Sequence, residues 1–202
     1  MIRINTTISV SFLLLACLLF ESLTLKVESN QAIVPINVTV LGKLIITDAE
    51  NDTKSGENPT LNVNLKLTPD LSDSVISGSS SVRIRTNLNS WKLTAKRLEE
   101  GGSLVNLTPE DISLAFIVSA GGKANQSAGK LVTPFDTKTD LSKISSNSET
   151  DIIHGLSKTS AERDPKNTDN WFQLTSNYSI SPDFYYETGD WSTTVTYNLV
   201  SP

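Results

Sequence analysis

Few residues in this chain could do chemistry, and their spacing limits what chemistry that is. His154 is the only histidine and Cys17 the only cysteine. Asp151 lies three residues before His154, so a Ser-His-Asp relay would have to be built on that pair. No Gly-x-Ser-x-Gly turn accompanies it, and His154 is expected to be an exposed loop histidine. Asp48, Glu50 and Asp52 alternate in a loop, an arrangement that suits a hard cation in principle. A calcium loop would need Gly next and a distal Glu. Thr53 stands in the Gly position, so a solvated acidic hairpin turn is expected. Paired carboxylates can hydrolyse glycosides, yet nothing in the sequence selects a pair from 22 acids. No catalytic residue, metal or cofactor is therefore predicted.

Phe184, Tyr185, Tyr186 and Trp191 gather around Gly189-Asp190. Rings on a loop can stack on sugar faces, or they can close the end of a β-sandwich, where they bury much area. Within residues 30–202, Asn-x-Ser/Thr occurs at Asn37, Asn51, Asn106, Asn125 and Asn177, a frequency close to chance in a chain this rich in Ser and Thr.

The elements that must position these residues read as strands. Leu61, Val63, Leu65 and Leu67 alternate with Asn62, Asn64 and Lys66, the pattern of a strand with one wet face. Ala32 to Val40 repeats it, with Pro35 suggesting an edge or a strand start. Lys43 to Thr47, Ser81 to Thr86, Trp91 to Ala95, Ile112 to Ala120, Phe172 to Ile180 and Trp191 to Leu199 follow. Eight or nine short strands broken by Gly, Asn, Asp, Pro and Ser predict an all-β fold, an antiparallel immunoglobulin-like β-sandwich. The best helical candidate is Thr150 to Glu162, with Ile152, Ile153 and Leu156 on one side, for one or two turns. Residues 121–169 read as long polar connections with one short strand at Lys130 to Phe135.

Composition sets the compartment. Ser, Thr and Asn fill 65 of 202 positions, and the net charge is -5. An acidic chain of this kind is not expected to bind nucleic acid. Residues 8–20 form an apolar run behind Arg3, too short to span a bilayer and of signal-peptide length. Cleavage is expected after Ser29, giving a signal peptide over 1–29, a single domain over 30–202, no cysteine in the mature chain and no stable membrane insertion. Leu14-Leu15-Ala16-Cys17 loosely resembles a lipobox, but the apolar run continues past Cys17.

Two segments together carry a family resemblance. Ser81 to Ala95 is a strand, a turn and then Trp91-Lys-Leu93 at the start of the next strand. Tyr186 to Pro202 ends the chain on a Gly-Asp-Trp-x-x-x-Val-x-Tyr-x-Leu strand. This resembles the WxL-type surface domains of bacteria and secreted pilin-like sandwiches, over residues 80–202. The resemblance puts Trp91 and Leu93 at the first motif and Leu199 at the second, with Tyr197 where a Trp is usual. It implies a secreted, non-catalytic surface or adhesion protein, bound noncovalently to a cell-wall polymer, a polysaccharide or other surface proteins. A pilus-type subunit that assembles by strand addition and a carbohydrate-binding module are the alternatives.

Overall fold

The computed structural model describes residues 36, 38–69, 71–72, 74–104 and 106–202. The expected signal peptide and most of the Ala32–Val40 pattern lie outside them. Ile36 and 38–40, which are described, carry no strand. The chain divides into residues 1–40 and 41–202, and the fold below is that of the second unit.

Among the described residues nine strands form two antiparallel sheets: β1 (Leu44–Asp48), β2 (Ile76–Thr86), β3 (Trp91–Glu100), β4 (Ser113–Ala120), β5 (Gly129–Leu131), β6 (Thr139–Asp140), β7 (Thr150–Gly155), β8 (Phe172–Ile180) and β9 (Ser192–Val200). One sheet runs β1-β2-β8-β4-β6 and the other β5-β7-β3-β9. Three 3-10 turns, at Lys54–Gly56, Pro109–Asp111 and Leu141–Lys143, are the only helical elements among the described residues. No helix there is long and apolar enough to cross a membrane. The sandwich expected from period-two alternation is therefore the observed architecture.

Alternation builds the core. Val82 and Ile84 of β2, Leu114 and Phe116 of β4, and Phe172 and Leu174 of β8 are buried from the first sheet. Trp91, Leu93 and Ala95 of β3 and Ile153 of β7 are buried from the second. Ser176 of β8 is also buried, its hydroxyl paired with that of Tyr197 at 3.0 Å, so a polar position on an inward face is satisfied.

Three segments depart from the sequence reading. Thr150 to Glu162 is not helical: Thr150–Gly155 is strand β7. Its pairing with β3 shifts between Leu93, opposite Ile153, and Thr94, opposite Asp151. Ile152 is the extra residue of this bulge. Two adjacent isoleucines are then both buried, which imitates a helical stripe in sequence. Leu156, the third member of that stripe, is exposed. Second, residues 121–169, expected as long connections with one short strand at Lys130 to Phe135, hold three strands: β5, which overlaps that expected strand at Lys130 and Leu131, and also β6 and β7. Phe135, Leu141 and Ile144 are buried in the core from between those strands. Third, Leu61 to Leu67 keeps the predicted faces, with the apolar side chains half-buried and Asn62, Asn64 and Lys66 exposed, but joins no sheet. Within β2, β1 covers only Val82–Thr86. Val63 and Leu65 pack at Gly78, in the half of β2 that β1 leaves uncovered.

The Trp91 ring fixes where β3 and β7 meet. Trp91 lies opposite Gly155, and a Cβ on Gly155 would fall 2.1 Å from the Trp91 ring. Gly155→Ala should therefore lower stability by roughly 1–3 kcal/mol, the cost of forcing extra volume into a filled core. A urea midpoint unchanged from wild type would contradict this packing.

Candidate functional site

The structure sorts the candidate residues into a buried pair, a half-buried pair packed against it, a surface ion-pair cluster and an exposed aromatic loop. Trp91 and Leu93 sit on β3, Tyr197 and Leu199 on β9. The two strands are neighbours, with Leu93 opposite Leu199 and Ala95 opposite Tyr197. The structure thus brings together two segments a hundred residues apart. They meet in the core, however. Trp91 is 1% exposed, Leu93 fully buried, and the Trp91 Nε1–H donates to the Ser157 carbonyl at 2.8 Å. Tyr197 packs edge-on to Phe116 with centroids 6.5 Å apart. Burial, with the neighbouring Tyr178 hydroxyl adding to it, raises the Tyr197 phenol well above its ordinary pKa. Trp91 and Leu93 therefore offer nothing to a ligand, while Tyr197 and Leu199 are half-buried and reach an open groove with part of their side chains.

His154 and Asp151 do meet. The Asp151 carboxylate contacts His154 Nε2 and accepts from Lys92 Nζ, both at 2.9 Å and both through Oδ2. Hydrogen bonds from Lys92 and then His154 hold Asp151 below the usual carboxylate range. Among the described residues no hydroxyl is hydrogen-bonded to the imidazole, so the arrangement is a surface ion-pair cluster on β3 and β7. Beside it, Glu149 accepts from Thr94 Oγ1 at 2.6 Å and Asn198 Nδ2 at 2.8 Å. Lys92, Asp151, Thr94, Glu149 and Asn198, but not His154, line an open groove of about 680 Å³ together with Leu44 and Ile46 of β1.

Asp52 departs from the expected acidic turn. It accepts from Thr47, Arg83 and Arg85 instead of facing water. Asp48 caps Glu50 N–H at 2.9 Å. No group of three or more His, Cys, Asp or Glu is placed to hold a metal ion among the described residues.

The aromatic loop between β8 and β9 divides by role. Tyr186 and Trp191 are half-buried against the core, which is the capping role. Phe184 and Tyr185 are 69% and 70% exposed. Their loop is braced. Asn106 Nδ2 donates to the Tyr185 carbonyl at 2.5 Å, and Asn106 Oδ1 accepts from Glu187 N–H at 3.2 Å. Asp183 accepts from Tyr185 N–H at 2.7 Å. Ser103 accepts from Asp190 N–H, and Leu104 N–H donates to the Asp190 carbonyl, both at 3.1 Å. Sequence reasoning found these aromatics but missed Asn106, whose only sequence signal was its Asn-x-Thr context. No protein-family model and no curated protein matches the chain.

Proposed function

We propose that the protein is a secreted, non-catalytic surface protein that works by contact, with envelope or extracellular polysaccharide as its partner. The observation carrying this reading is the Phe184–Tyr185 pair. Two large rings at consecutive positions are exposed, Tyr185 also packing edge-on to Tyr186 at 6.0 Å between centroids, on a loop whose backbone is held from outside and within. Exposed apolar rings cost solvation, and a braced loop has little conformational entropy left to lose when a ligand binds. A sugar ring offers an apolar face to stack on such rings. Tyr186 and Trp191, by contrast, hold the loop to the sandwich.

The test is depletion of the purified protein by a panel of insoluble cell-wall and extracellular polysaccharides. Phe184→Ala and Tyr185→Ala should each weaken retention about tenfold, or about 1.4 kcal/mol. Their urea midpoints should stay near wild type, because exposed substitutions usually lie within about 0.5 kcal/mol. Equal retention of the double variant, or no retention of the wild type across the panel, would overturn the reading.

A further inference from the structure

The two sheets have four edges, and three of them are protected. β1 is five residues long and ends in Asp48, β5 is three residues with Lys130, and β6 is two residues with Asp140. Short length and charge are the ordinary means by which edge strands avoid pairing with another chain. β9 has neither. It runs nine residues, Ser-Thr-Thr-Val-Thr-Tyr-Asn-Leu-Val, with no charge, proline or glycine. Its register with β3 is unbroken over nine pairs, so no bulge twists the edge away. Among the described residues β9 pairs with β3 alone. From Tyr197 to Val200 it borders the open groove already described.

We infer that the β9 edge is a self-association surface, on which a second copy of this chain adds its own β9 antiparallel about a two-fold axis at Thr196. The strand's pattern is self-complementary in that register. Residues opposite each other in an antiparallel pair share a face, so Tyr197 meets Val195 of the second copy and Leu199 meets Thr193. The half-buried face continues across the junction, and the exposed face of Ser192, Thr194 and Thr196 does the same. With no charge in the strand, the two-fold brings no like charges together. The result is one continuous eight-stranded sheet. A single strand edge of nine residues, roughly 30 Å long, buries less than the roughly 1,200 Å² of a stable interface. The dimer is therefore weak and concentration-dependent. This surface is separate from the Phe184–Tyr185 loop, and neither proposal depends on the other.

The experiment is sedimentation equilibrium of the full chain across a concentration series, with Thr196→Glu beside it. Thr196 is exposed and lies opposite Lys96 of β3, so a glutamate there suits the folded monomer. Across the two-fold it would face its own copy. Wild type should shift to dimer with rising concentration, and Thr196→Glu should associate at least tenfold more weakly. In a Cys17→Ser background, Thr196→Cys should form a disulfide-linked dimer under mild oxidation, since opposed residues lie about 4.5–5.5 Å apart. Ser192→Cys, which would face Val200 of the second copy, should not. A wild type that stays monomeric to its solubility limit overturns the inference. So does a dimer indifferent to Thr196→Glu, or one that cross-links Thr196→Cys to Val38→Cys and never to itself. The last result would assign the edge to the 32–40 segment instead.

Discussion

Trp91→Ala should lower the unfolding free energy by about 4 kcal/mol, within the roughly 3–5 kcal/mol range for deleting a buried Trp or Phe side chain. Small domains are stable by about 5–15 kcal/mol, so this one change removes a large share. Four contacts are lost together. The ring packs edge-on to Phe172 of the opposite sheet, at 6.0 Å between centroids. Its Nε1–H satisfies the Ser157 carbonyl. Its face covers Gly155, and its edge lies 3.0 Å from where a Cβ on Gly129 would sit. Trp91→Phe should cost less, about 1–3 kcal/mol, because it keeps a ring but leaves the Ser157 carbonyl without its donor. Gly155→Ala gives the sharper check. If the ring lies on the glycine, the alanine should be costly in wild type and nearly neutral in Trp91→Ala. That is a coupling of the size expected for residues in direct contact. Additive urea midpoints would refute the geometry. A practical consequence follows for the Trp-x-Leu resemblance: any loss of envelope binding in Trp91→Ala should track loss of fold. An intact fold with binding abolished would mean that the indole reaches solvent.

Sequence alternation carried most of the fold because period two is a property of each strand alone. Phe172–Ile180 coincides with the expected strand, the expected Ile112–Ala120 and Trp191–Leu199 lie within one residue of β4 and β9, and the expected Ser81–Thr86 and Trp91–Ala95 each fall five residues short of β2 and β3. The failures share a physical cause, dependence on a neighbour. Leu61 to Leu67 has the faces of a strand, but a strand also needs a free edge to pair with, and alternation does not encode one. Ile152 and Ile153 are adjacent and both buried because β3 pairs across a bulge, a feature of the partnership. Phe135, Leu141 and Ile144 are single anchors amid Ser, Thr and Lys, so no period announces them. The same limit governs the candidate site. The aromatic loop was legible from composition, while its division into two capping and two exposed rings depends on what lies beneath. Asn106, 79 residues from Tyr185 in sequence, could be found only in three dimensions.

Asp52→Asn should cost about 2 kcal/mol at neutral pH, and the cost should fade in acid. Asp52 stands at the junction of the loop after β1 with the outer face of β2. It accepts from Arg85 in bidentate fashion at 2.6 and 2.7 Å, from Arg83 at 2.9 Å and from Thr47 at 2.7 Å. Its side chain is 13% exposed and that of Arg85 14%. Removing the charge strands two guanidiniums in a partly dry site. The loss should fall short of the roughly 3–5 kcal/mol of a fully buried pair, because both cations keep other partners. Arg85 still donates to Asn170 at 2.9 Å, and Arg83 donates to Gln173 at 3.1 Å while lying 4.1 Å from the Trp171 ring centroid. Asp151→Asn provides the contrast. It also breaks two contacts of 2.9 Å, but on a surface where such pairs contribute about 1 kcal/mol or less. Burial by itself would push the Asp52 carboxyl up. The hydrogen bonds from Arg85, Thr47 and Arg83 outweigh it and hold the group far below the usual carboxylate range. A carboxylate with its folded pKa depressed stabilises the fold above its unfolded pKa of about 4, and that contribution is lost as pH falls through the folded value. The difference between wild type and Asp52→Asn should thus be constant from about pH 7 to pH 5 and shrink steadily below pH 4. Asp151 also has a lowered pKa, but it titrates in both proteins and cancels from the difference. A gap that stays constant down to pH 2 would show that packing around the loop, and not the charge on Asp52, is what the substitution removes.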